Sequence, residues 1–177
     1  MIRQLFFFAT AVLSALASAE GSAYNRFTLS VDTPISGLVW NQLMFFNGSA
    51  YIGNIKYNRE SEALPLASYD LRYGMFFTSF HSNPTGTQRL FLYETQMQPI
   101  SFTAPHSVYM PEGAAATGFD KQGDYLQFNG KDNWWACMVP TDQLQPYFTP
   151  SWKILWDGLG TAKGCEKVRL RIEKVSC

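Results

Sequence analysis

Histidine is scarce in this sequence, with only His81 and His106 among 177 residues. Neither has a ligand-type neighbour two or four positions on, and no Cys-x-x-Cys pair exists, so the usual spacings of a zinc site are missing. Charge is also sparse, at 16% of residues against the usual quarter. Lys+Arg and Asp+Glu balance at 14 each. A balanced chain lacks the electrostatic footprint of a nucleic-acid binder and gives no pull toward an anionic membrane. Beyond the N-terminus no apolar run approaches the ~18 residues of a membrane-spanning helix. Helical periodicity is missing too. "ESEALPLASYDL" has room for one turn, and Pro65 breaks it. No repeat, linker or low-complexity tract divides the chain, and no G-x-S-x-G elbow marks a hydrolase nucleophile.

What fills the sequence is aromatic residues, 16% of the total, set in period-2 alternation. In "EKVRLRIEKV", Val168, Leu170 and Ile172 face one way while Lys167, Arg169, Arg171 and Glu173 face the other. That is the pattern of a half-buried antiparallel strand. "RFTLSVD" repeats it, and "QRLFLYET", "PISFT" and "DYLQFNG" are further β-type runs. Asn47-Gly48 inside "LMFFNGSAYIGN" signals a tight hairpin turn, because both residues tolerate positive φ. Asn129-Gly130 repeats the signal ahead of "NWWACMV". Turn signals recur about every ten residues, the spacing of a sandwich or barrel. The expected fold is all-β, a single-domain antiparallel β-sandwich or partly closed barrel.

The N-terminus has a basic Arg3, an apolar run from Leu5 to Leu16 and the small-residue triplet Ala17-Ser18-Ala19. This reads as a secretory signal peptide over residues 1–19. Its removal leaves one domain of roughly 160 residues, large enough for a real core. The C-terminal "CEKVRLRIEKVSC" has neither an apolar tail nor a prenylation box, so no lipid anchor is expected. In an exported chain a disulfide is the default for Cys137, Cys165 and Cys177. Three single pairings are open. Cys137–Cys165 is expected, because Cys177 is the last residue and a bridge to it would constrain a fraying end. That loop is worth about 3–4 kcal/mol in the chain-entropy model. Cys177 is then a free or intermolecular thiol. Asn47-Gly48-Ser49 is a glycosylation acceptor sequence, whereas Pro84 disqualifies Asn83.

Trp134, Trp135, Trp152 and Trp156, with Tyr147, form the densest aromatic group. They suit a buried core, and a flat exposed row of them would suit stacking on sugar rings. Neighbours on a strand point to opposite faces, so at most one of Trp134 and Trp135 lies inside. Trp152 and Trp156 share a face if "SWKILW" is one strand. Glu94, Glu112, Asp120, Asp124 and Asp132 lie near strand ends. They read as solvated turn acids rather than a hydrolytic pair.

Four blocks occur in a familiar order: "NGSAYIGN" (47–54), "ISFTAPHSVYMPEGAAATGF" (100–119), "YLQFNGKDNWWACMVP" (125–140) and "GCEKVRLRI" (164–172). Together they resemble small secreted fungal cell-wall proteins of the phialide-development (PhiA-like) and IgE-binding allergen-like type. The resemblance implies an all-β, wall-associated module without established catalytic residues, and it carries the same Cys137–Cys165 pairing. The chain departs from the pattern after the Ile-Gly motif, where "NIKYNRESEALP" lacks the second cysteine pair of many members. The expectation is a non-enzymatic, secreted structural or interaction protein of a filamentous fungus that contacts wall glycans. A secreted effector binding a host protein or glycan, and a carbohydrate-active enzyme, are the alternatives. The partners expected are cell-wall polysaccharide or another extracellular protein. Nucleic acid, a cofactor, a metal and, after leader cleavage, a membrane are not expected. Mass analysis of the exported protein should find a chain beginning near Glu20; an intact Met1 would refute the leader.

Overall fold

The computed structural model describes residues 24–81 and 84–175. The expected leader (1–19) and Cys177 lie outside the described residues. The fold is all-β and antiparallel. In chain order the strands are β1 (Asn25–Val31), β2 (Met44–Phe46), β3 (Ser49–Gly53), β4 (Glu62–Ala63), β5 (Leu66–Ser68), β6 (Phe76–Thr78), β7 (Thr87–Tyr93) and β8 (Met97–Pro99). They continue as β9 (Ser101–Phe102), β10 (Ala114–Ala115), β11 (Phe119–Gln122), β12 (Tyr125–Phe128), β13 (Trp134–Met138), β14 (Ser151–Asp157), β15 (Glu166–Val168) and β16 (Leu170–Lys174). One layer runs β11-β12-β16-β1-β5-β6-β7, and the other runs β7-β9-β3-β14-β13-β15. β7 belongs to both. The two ends of this path do not pair, so the sheet stays open, in the manner of a sandwich.

The alternating pattern sets which side chains go inside. Phe27, Leu29 and Val31 of β1 and Trp152, Ile154 and Trp156 of β14 all point into one core. The Asn47-Gly48 turn forms as expected. Both residues have positive φ, 45° and 74°, and Phe46 pairs with Ser49 directly across it.

Two local expectations change. Residues 166–175 are not one strand. The run breaks at Arg169, so that β15 pairs with β13 in one layer and β16 with β1 in the other. Asp32 donates its backbone N–H to the Arg169 carbonyl at 3.1 Å, and the Arg169 N–H bonds Thr33 Oγ1 at 3.1 Å. Alternation continues through the break, because Val168 and Leu170 are both fully buried. A strand that serves both layers must turn a corner between them. The Asn129-Gly130 turn also forms, and Phe128 and Lys131 exchange both backbone hydrogen bonds across it. It does not open a hairpin. β12 stays in the first layer, and β13 crosses to the second.

Four rings cross the gap between the layers. Phe119 meets Phe128 at 5.2 Å, Phe128 meets Trp156 at 5.2 Å, and Trp156 meets Trp134 at 4.9 Å, each edge to face. This is the geometry that aromatic quadrupoles favour. Trp134 and Trp156 each donate the indole N–H to a backbone carbonyl, Trp134 to Leu126 (2.9 Å) and Trp156 to Glu94 (3.2 Å). Trp135, one residue along, faces outward and is half-buried. On that same outer face Cys137 is bonded to Cys165, with Cα atoms 4.4 Å apart. Trp134→Ala should therefore cost about 3–5 kcal/mol in urea unfolding, and Trp135→Ala much less. Equal large losses would contradict the assigned faces.

Candidate functional site

Trp134, Trp152 and Trp156 are at most 2% exposed, so they offer no ring face to a ligand. The sugar-stacking alternative therefore fails for these three, because the core between the layers takes them. The exposed aromatic rings gather elsewhere. Tyr24, Tyr69, Tyr73 and Phe80 are 42–79% exposed, and all four line one trough of about 520 Å³.

The trough lies on the outer face of the first layer. Strand register puts Arg26, Ala67, Phe76 and Arg89 in one row across β1, β5, β6 and β7. Ala67 is the floor. Its methyl group is the smallest side chain of the row, and the larger neighbours stand up around it. Residues 69–74 build one wall. The Asp70 carboxylate accepts the Arg72 backbone N–H at 2.9 Å and so starts the 3-10 turn Leu71–Tyr73. Gly74 ends the turn at φ 111°, where a Cβ would come within 2.7 Å of the Ala116 carbonyl oxygen. Only glycine fits there. Ser68 Oγ donates to the Gly74 carbonyl at 2.6 Å and closes the loop. Tyr24 extends this wall, its ring 3.7 Å from that of Tyr69.

Phe80 is held from below. The buried Glu62 carboxylate accepts the Ser79 hydroxyl and the Phe80 backbone N–H, the latter at 2.8 Å. A carboxylate with several donors is a firm anchor for a bend. It presents Phe80 to solvent in a fixed place.

The wall carries tuned groups. The hydrogen bond from Arg72, with its guanidinium as close as 2.6 Å, holds the Asp70 carboxyl below the ordinary aspartate value. The hydrogen bond with Tyr24 lifts the Tyr69 phenol above the ordinary tyrosine value. The Asp70 contact is thus present above the ordinary carboxylate range and lost as pH falls through the lowered pKa. The tyrosine contact is present below the ordinary phenol range and lost as pH rises through the raised pKa.

Of the five acids singled out in the sequence, Glu112 and Asp124 are exposed and the other three are engaged elsewhere. Glu94 accepts from Asn129 Nδ2 at 2.9 Å, Asp132 faces Lys167 at 3.7 Å, and Asp120 accepts the Lys121 N–H at 2.7 Å. His106, at φ 60°, hydrogen-bonds the Thr85 carbonyl through Nε2 at 2.8 Å. Asn47 is exposed at its turn. Among the described residues no three His, Cys, Asp or Glu side chains converge as a metal site would require. Sequence reasoning missed the trough because its rings are spread over 24–80, outside the tryptophan cluster. The available signal was their setting in "ASYDLRYG" and "TSFHS", where aromatic residues stand beside turn formers rather than in alternating runs.

No family model, curated protein or solved structure matches the chain.

An alkaline absorbance titration should show late-ionising phenols. Tyr69→Phe should remove one. Tyr125→Phe should remove another, because Tyr125 donates to Asp32 at 2.5 Å and is likewise raised. A single common transition, unchanged in either variant, would contradict both hydrogen bonds.

Proposed function

We propose that the protein is a non-enzymatic, exported binding module that seats cell-wall polysaccharide in the Tyr24–Tyr69–Tyr73–Phe80 trough. The observation that carries this reading is the gathering of exposed rings around one small-residue floor. Isolated exposed aromatics are ordinary; several around one concavity are a recognition surface. The apolar C–H faces of pyranose rings stack on tyrosine and phenylalanine, and sugar hydroxyls suit the forked donors of Arg26 and the oxygens of Asp70, Thr78 and Thr87. Among the described residues that line the trough one is acidic, Asp70, and it is bound to Arg72. Glycoside hydrolysis ordinarily takes two carboxylates, so the lining favours binding over cleavage. The leader-like N-terminus and the disulfide support export, and the resemblance to fungal wall proteins supplies the choice of polysaccharide.

The test is a sedimentation assay with insoluble fungal wall glucan and chitin, with reducing-sugar release measured in parallel. Wild-type protein should bind without releasing sugar. Tyr73→Ala should weaken binding about tenfold, which is about 1.4 kcal/mol. Ala67→Phe should block the trough and abolish binding. Tyr147→Ala, an exposed ring outside the trough, should change nothing. Equal binding by wild type and Ala67→Phe would overturn the assignment of the trough, and steady sugar release would replace the module with an enzyme.

A further inference from the structure

A second concavity, of about 660 Å³, opens beside the β2–β3 turn. Asn47 stands on its lip, and Phe46, Glu60, His81, Gln88 and Phe102 are among its walls. Gln88 is the unusual member. It is 4% exposed, and its Nε2 donates to the Thr103 carbonyl at 2.9 Å, but its Oε1 has no partner among the described residues. A buried acceptor left unpaired costs about 1–3 kcal/mol, and the residue that carries this one lines a cavity. The site asks for a neutral group with a hydrogen-bond donor and an apolar face.

We propose that the occupant is the first N-acetylglucosamine of a glycan carried by Asn47 itself. The acceptor sequence Asn47-Gly48-Ser49 sits on the lip of the concavity whose wall holds the orphan acceptor. Asn47 occupies the first central position of the tight turn, and Phe46 precedes it, paired with Ser49 across the hairpin. A sugar on Asn47 Nδ2 is therefore delivered next to the Phe46 ring. Tyr51 packs against that ring at 5.7 Å, edge to face, and fixes its orientation. The sugar's C–H face covers Phe46, and its acetamide N–H or a hydroxyl supplies Gln88 Oε1. Glu60 on the rim suits a neutral sugar rather than an anion. The attachment balances simply: Asn47 Nδ2 loses one proton and bonds to C1 of a lipid-diphosphate-linked oligosaccharide, and the lipid diphosphate leaves. The inference shares only the premise of export with the proposed function and uses none of the trough residues.

The experiment expresses the full chain in a eukaryotic secretory host. Peptide mapping should find hexosamine on Asn47. Protein trimmed enzymatically to one sugar should melt about 2–4 °C above Asn47→Gln. Phe46→Leu keeps an apolar side chain but removes the ring face. In that background the difference between trimmed protein and Asn47→Gln should shrink to nearly nothing, whatever Phe46→Leu does to stability alone. An unmodified Asn47, or a melting difference that survives Phe46→Leu, overturns the proposal. Polysaccharide sedimentation on the same samples separates this failure from a failure of the trough.

Discussion

The edge-to-face chain Phe119–Phe128–Trp156–Trp134 is the contact on which the rest of the molecule depends. Two rings come from the first layer and two from the second. Each strand that supplies one has its other side chains committed by alternation. Placing these rings therefore fixes the register of β11, β12, β13 and β14 together. The two indole N–H groups lock the chain further, because each must face a particular carbonyl. Large rings with satisfied polar ends give a core both its area and its single arrangement.

That core explains why Trp134, Trp152 and Trp156 present no ring face to solvent. Adjacent indoles on a strand divide between faces, and Trp134 takes the inside. The exposed rings of the trough stand on segments outside the alternating pattern. The turns around Asp70 and Gly74 and the bend anchored by Glu62 provide them. These are loops on a rigid frame, the usual arrangement for recognition. The floor is set by the sheet and the walls by the turns, so shape and chemistry are divided between different parts of the chain.

Much of the fold was legible. Alternation marked β1 and the run over 166–175, aromatic-rich β-type runs marked β7, β9 and β12, the Asn-Gly dipeptides marked both turns, and compartment logic with the terminal place of Cys177 marked Cys137–Cys165. Alternation names a strand's inner face but not its layer. For that reason the corner at Arg169 and the crossing after Gly130 were invisible: Val168 and Leu170 are equally buried on either side of the break. The trough was illegible for another reason. Its rings meet only through the pairing of Arg26 with Ala67 and of Ala67 with Phe76. Those long-range registers come from the packed sheet and have no local signature.

The corner at Arg169 also sets the timing of folding. β1, the first strand, lies between β5 and β16, the last, and Phe27 pairs with Lys174. β15 completes the other layer beside β13 only a few residues earlier. Neither layer has its full complement until nearly the whole chain is available. Native pairings of this span are slow to form. A chain emerging from the ribosome in order therefore cannot complete either layer until its last strands are available.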